Sequence, residues 1–297
     1  MEHIMKTNFI RVNRVMILLA FVFVSASAVN IMAVENIPET EIIILGGLHG
    51  MHKQNPKYSP VILRDVIVGT APAAVLSELP EIVLGEPAIV NRRINDRLVP
   101  GISDENWSAN AAADILNIPV IAYDRADRNE NFIDTNYFER MDALYKNVAE
   151  WLSDKKNTES FPTEAAMLGS LSDRLLESQT YFSLNAGPEI VNSRGFDDLI
   201  RVKHEISDEL LPGLSARTPS LGNLAGEFAF LRDQWDERNR IMADNIIAQA
   251  RKFQGKRLVV ICGVDHKYAL RDLLSKIPSL KILEYYEAGS PNHGYQK

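Results

Sequence analysis

Residues Glu41 to Gly50 read EIIILGGLHG. Four consecutive apolar residues, Ile42 to Leu45, run into Gly46 and Gly47 and then His49. This is the pattern of a buried strand that stops at a glycine turn and presents an imidazole. The arrangement returns near the end of the chain, where Arg257 to Lys267, RLVVICGVDHK, closes on Gly263 and His266. Both runs end in Gly-x-x-His, and in α/β proteins ligands gather at the carboxyl ends of strands. Two such ends, one early and one late, are expected to build one composite site.

The segments between them fit the same architecture. Ser59-Pro60 is an N-cap followed by a proline at the first helical position, and Ile62, Leu63, Val66 and Ile67 give a buried stripe that Gly69 ends. Ala73 to Leu79 reads as a short strand carrying Glu78 just before Pro80, completing a βαβ unit. Residues 86–103 read as a loop, with Arg92, Arg93, Asp96 and Arg97 on a solvated face. A helix capped by Ser103 spans Asp104 to Leu116, and a third strand, Ile118 to Tyr123, runs directly into Asp124-Arg125.

Helical patterning then dominates. Tyr137, Met141, Leu144, Val148 and Trp151 recur at helical spacing, residues 163–180 make another helix, and 186–215 read as short broken ones. We read 130–220 as a helical insertion or cap over the sheet. The long helix from Leu224 to Phe253 carries an inward stripe of Phe228, Leu231, Trp235 and Met242 that passes straight through Arg238. A guanidinium on a buried face requires a carboxylate or an anionic ligand, so Arg238 is either a structural ion pair or a site residue. With the strand at 257–263, a helix from Lys267 and a last strand from Leu280, the pattern predicts an α/β fold: a central mixed, mostly parallel sheet flanked by helices.

The amino-terminal segment stands apart. Lys6, Arg11 and Arg14 precede the apolar run Val15 to Val24, and Ala26-Ser27-Ala28 has the small-x-small form of a signal-peptidase site. Residues 1–28 are therefore expected to be a secretory signal, which makes the protein exported, periplasmic or secreted. Residues 29–40 follow as a linker, 41–287 as the α/β domain and 288–297 as a tail. Membrane contact is expected only if the segment stays uncleaved as an anchor. The net charge is −7, and removal of the signal takes three of the 32 basic residues but one of the 39 acidic ones. An acidic chain without clustered Lys and Arg is no nucleic-acid binder. Cys262, the only cysteine, lies inside an apolar strand and reads as a buried, inert thiol.

Two imidazoles and one carboxylate are the protein complement of many hydrolytic metal sites. His49, His266 and Glu78 are the candidate ligands, with Arg125 or Arg238 placed to neutralise a developing oxyanion. Glu78, Arg125 and Arg238 are thus the candidate catalytic residues. Asp265, beside His266, and Asp124 are candidates for orienting the ligands, and His52 and Tyr58 for touching substrate.

In order and spacing, Gly46-Gly-Leu-His49, Glu78, Asp124-Arg125, Glu237-Arg238-Asn239-x-x-Met242 and Gly263-Val-Asp-His266 resemble the TraB/PrgY pheromone-shutdown and Tiki group. That group lies within the superfamily of GumN, the erythromycin esterases and the haem-binding ChaN proteins. The resemblance implies an α/β fold whose two Gly-x-x-His motifs share a pocket. For Tiki-like members it implies a metal-dependent peptidase using a divalent transition metal such as manganese, cobalt or zinc on a peptide or small-molecule substrate. By motif match His49 and His266 are the paired histidines and Glu78 the acidic residue, while Gly47 stands where a threonine is common. The alternative is a non-catalytic protein that sequesters a pheromone-like peptide or haem, in which His52, Tyr58 and the helical cap do the binding.

Overall fold

The sheet is built outward from β1 (Thr40–Gly47). The computed structural model describes residues 38–80, 103–154, 162–221 and 224–288. The expected signal segment 1–28, most of the expected linker 29–40, the expected arginine-bearing loop up to residue 102 and the expected tail beyond 288 lie outside the described residues. Within them five strands pair in the order β3-β2-β4-β1-β5: β2 is Ala74–Ser77, β3 Val120–Ala122, β4 Arg257–Gly263 and β5 Leu280–Leu283. Every pairing is parallel. The architecture is the α/β one predicted, with a sheet that is parallel throughout.

Both faces of this sheet are covered, which explains why its central strands read as unbroken apolar runs. Ile43, Leu45, Val75, Val259 and Ile261 point into one core with α1 (Pro60–Thr70) and α2 (Asp104–Leu116). Their neighbours Ile42, Ile44, Leu76, Leu258, Val260 and Cys262 point into the other, with α9 (Ala225–Lys252) and α10 (Val264–Leu274). The chain passes from β1 over β4 to β2 in one direction, and from β4 over β1 to β5 in the other. A single handedness of crossover places the connecting helices of these two moves on opposite faces. The connections therefore diverge between β1 and β4, and a crevice opens where their carboxyl ends lie side by side. Gly46 is opposite Cys262 in that register and Gly47 opposite Gly263.

Local chemistry sets the helix boundaries. The Ser59 hydroxyl accepts from the Ile62 amide to cap α1, and Ser103 does the same for Asn106 at the start of α2. Ala71 and Asn117 close these helices in the left-handed conformation. The helix after β4 begins at Val264, earlier than Lys267, so Asp265 and His266 sit in its first turn.

Between β3 and β4 the chain is helical, with α3 (Arg128–Asp134), α4 (Tyr137–Ser153), α5 (Pro162–Asn185), α6 (Pro188–Val191), α7 (Arg194–Glu205), a π-helical turn (Ile206–Leu210) and α8 (Leu211–Arg217). Much of this stretch forms its own core around Leu144, Val148, Trp151, Leu168, Leu214 and Phe228. Val191, Phe196 and Ile200, however, belong to the sheet core that α1 and α2 share. The 130–220 stretch is thus only partly a cap; α6 and α7 complete the sheet's own cover. Their attachment is ionic as well, because Lys267 is buried with its ammonium on both carboxylate oxygens of Asp197, at 2.9 and 2.8 Å, and Arg271 reaches the same group. No helix among the described residues is long and apolar enough to cross a membrane.

Candidate functional site

The chain leaves β1 through Leu48 into a 3₁₀ turn, His49–Lys53. His49 takes a left-handed backbone, φ 51°, which side-chain-bearing residues seldom adopt. Its amide donates to Glu105 Oε1 at 2.5 Å, and its Nδ1 lies 3.4 Å from the same oxygen. Glu105, in the first turn of α2 and buried, therefore holds both the backbone and the ring of His49. The hydrogen bond to Glu105, against some burial, raises the His49 pKa to about 9. Burial alone would raise Glu105, but His49 outweighs it and brings the carboxyl to about 2. The ring itself is open to solvent, with 64% of the side chain exposed.

Glu78 follows β2 and Gly263 ends β4. Glu78 Oε2 accepts from the Gly263 amide at 2.7 Å. A Cβ on Gly263 would stand 2.8 Å from His49 Nε2 and 3.8 Å from Glu78 Oε2, so the imidazole and the carboxylate both border this one glycine. His266 Nε2 lies 3.9 Å from the other oxygen, Glu78 Oε1. The two Gly-x-x-His motifs and Glu78 thus converge, as their placement at neighbouring strand ends requires.

Arg238 reaches this group from α9 and links its members. It donates from Nη2 to Glu78 Oε1 at 2.5 Å and to Asp124 Oδ2 at 2.9 Å, from Nε to Asp124 Oδ1 at 3.1 Å, and makes a 2.9 Å contact from Nη1 to His266 Nε2. Burial disfavours the guanidinium charge, but Glu78 and Asp124 outweigh it and push its pKa further up. Asp124 is fully enclosed and also accepts from Arg128 Nη1 at 2.8 Å and from the Arg125 amide at 2.7 Å. His266 is held in one tautomer: Nδ1 lies 2.8 Å from Asn239 Oδ1, an acceptor only, so Nδ1 carries the proton and Nε2 accepts from Arg238. Its ring stacks on Trp235 at 4.2 Å between centroids. Burial, reinforced by the Arg238 charge, drives its pKa well down and keeps the ring neutral.

Other residues singled out in the sequence stand elsewhere. Arg125 turns its guanidinium away from Glu78 onto Asp127, at 2.6 and 2.9 Å, with Glu237 at 3.7 Å. Asp265 pairs with Lys203 and lies 3.6 Å from His204. Burial would raise its pKa, but His204 and Lys203 hold it well below the usual carboxylate range. It does not orient His266; Asn239 does.

His52 and Tyr58 are completely buried. His52 accepts from the Leu48 amide at 2.9 Å and holds the Tyr58 carbonyl at 2.6 Å, while Tyr58 donates to the Gly46 carbonyl and accepts from Asn192. They brace the turn after β1 and present nothing to a substrate. Gly47 has a local reason of its own, since any Cβ there would collide with the Glu105 side chain. A groove of about 1010 Å³ is lined by α4, α5, Ser207, Leu211 and Lys203, the partner of Asp265.

No family model, curated protein or solved structure matches this chain. Its reading rests on its own residues.

A shared metal ion does not fit these donors as they are arranged. The single Nε2 lone pair of His266 and one oxygen of Glu78 are both turned onto Arg238, and the second Glu78 oxygen accepts from Gly263. An ion would have to stand within ~2.0–2.2 Å of the same atoms, beside a permanent positive charge. Among the described residues no three His, Cys, Asp or Glu side chains are grouped to hold one ion.

Proposed function

We propose that this protein is an exported hydrolase that cleaves an amide or ester bond in a peptide or small molecule, resembling the TraB/Tiki group in the residues of its site but working without that group's metal. The observation that carries this reading is that His49 Nε2 and Glu78 both border Gly263, with Arg238 bonded to the other oxygen of the same carboxylate. An exposed imidazole and a carboxylate at neighbouring strand ends, next to a fixed cation, supply a proton donor, a proton acceptor and an electrophile.

In the proposed reaction Glu78 takes a proton from water as the water oxygen bonds to the substrate carbonyl carbon. Arg238 offers an N–H to the carbonyl oxygen as it gains negative charge. His49, charged near neutral pH because Glu105 raises its pKa to about 9, donates its proton to the departing nitrogen or oxygen as that bond breaks. The proton held by Glu78 then passes through a water to His49 and restores both groups. One water is consumed, and an acid and an amine or alcohol leave. His266, neutral and fixed by Asn239, holds Arg238 in position.

Mature protein incubated with peptides, aryl esters and anilides, with products read by mass spectrometry, tests the proposal. Turnover should fall by roughly 10²–10⁴ in Glu78→Gln and in His49→Ala, assayed below the melting temperature of each variant. Unchanged turnover in Glu78→Gln, or ligand capture without product across the panel, ends this reading and leaves the sequestering alternative.

A further inference from the structure

We propose that the Arg238 guanidinium is the resident cation of this site, standing where the resemblance to Tiki-like peptidases would place a divalent metal, and that the centre is complete without one. The inference rests on the hydrolytic reading for its functional meaning but not for its test.

The geometry supporting it concerns which atom each donor faces. Glu78 Oε1, both Asp124 oxygens and His266 Nε2 all bond to one guanidinium, at distances from 2.5 to 3.1 Å. These are the oxygen and nitrogen donors that a dication would need, and each points at Arg238. Charge is balanced as well: the carboxylates of Glu78 and Asp124 face Arg238 and Arg128, leaving no net negative charge to attract a dication. His49 is engaged separately, with Glu105.

A guanidinium has five N–H donors in a fixed plane. Four of those on Arg238 are engaged: Nε on Asp124, both Nη2 hydrogens on Glu78 and Asp124, and one Nη1 hydrogen on His266. The second Nη1 hydrogen has no partner among the described residues. It lies beside His266 on a side chain that is 14% exposed. That free donor is the one available to a substrate oxygen, a role in which a metal would otherwise act as Lewis acid.

Metal content and cobalt(II) titration decide the matter without a substrate. Wild-type protein purified from metal-replete medium should carry no stoichiometric manganese, cobalt or zinc and should show no visible absorption band on cobalt(II) addition. In Arg238→Met the released donors Glu78, Asp124 and His266 should bind about one equivalent of cobalt(II), and the band should vanish when His266→Ala is added. One equivalent of metal retained by wild-type protein through gel filtration, and lost in His266→Ala, overturns the proposal. So does a folded Arg238→Met that takes up no cobalt. If Arg238→Met fails to fold, the wild-type measurement alone decides.

Discussion

Gly263 and His49 interlock: a methyl group on Gly263 would stand 2.8 Å from His49 Nε2. The relationship is reciprocal, because a methyl on Gly46 would stand 2.8 Å from Val264 Cγ1, at the start of the helix that carries His266. Each Gly-x-x-His motif therefore leaves the space that a residue of the other motif, or its immediate neighbour, occupies. Gly263 itself has φ −57° and ψ 144°, open to any residue. Gly263→Ala should displace the exposed His49 ring at a cost near the low end of ~1–3 kcal/mol in urea unfolding, since the obstacle is the solvent-facing end of a side chain. Activity should nonetheless fall, as the ring is pushed from its place beside Gly263, whose amide Glu78 holds.

Gly47 differs because its obstacle is buried. A side chain there meets Glu105, which is pinned by the His49 amide. Gly47→Ala and Gly47→Thr should each cost about 1–3 kcal/mol in denaturant unfolding. Restoration by a shorter residue in Gly47→Ala/Glu105→Ala would locate the clash.

The Glu105–His49 pair makes stability depend on pH in a defined window. His49 titrates at about 9 in the folded chain and near ~6.5 unfolded, so its contribution is complete below ~6.5 and lost as pH rises through 9. Glu105 titrates at about 2 folded and near ~4.3 unfolded, so its contribution is complete above ~4.3 and lost as pH falls through 2. The melting-temperature difference between wild type and Glu105→Gln should be greatest between those unfolded values and shrink on either side. A difference that is flat with pH would show the pair to be uncharged.

Asn239 fixes the His266 tautomer through Nδ1. Asn239→Leu leaves that buried N–H unpaired and should cost about 1–3 kcal/mol. Asn239→Asp keeps an acceptor but adds a negative charge, so the His266 pKa should rise from its depressed value, as read by NMR of the ring. Stability at low pH should then improve relative to Asn239→Leu, because a neutral buried histidine disfavours the fold as pH falls below ~6.5.

Lys267, the residue after His266, joins α10 to α7 through Asp197. Lys267→Met leaves the buried Asp197 carboxylate with Arg271 as its remaining charged partner, and breaking such a pair costs about 3–5 kcal/mol. Arg271 should keep the loss at the lower end, and Asp197→Leu in the same chain should recover part of it.

How much of this was legible in the sequence follows from the range of each interaction. Strand and helix positions, the Ser59 and Ser103 caps and the two Gly-x-x-His ends depend on neighbouring residues, and local hydrophobic pattern and turn chemistry specify them. A mostly parallel sheet followed from alternating strands and helices, and that it is parallel throughout came from the tertiary structure. That Arg238 required a carboxylate was readable from its place in an apolar stripe. Which carboxylates it takes was not, because Glu78 and Asp124 lie 160 and 114 residues away. Glu105 was missed for the same reason: an acidic residue in a first helical turn reads as an ordinary dipole partner, and only the fold carries it to His49, 56 residues earlier. His52 and Tyr58 resembled site residues because they follow the glycine turn, yet the tertiary structure buries both and spends their polar atoms on the backbone. The sequence alone determined that two histidines and Glu78 come to adjacent strand ends. Only the tertiary structure decided that a guanidinium stands among His266, Glu78 and Asp124, because hydrogen-bond partners are chosen by distances that sequence order does not contain.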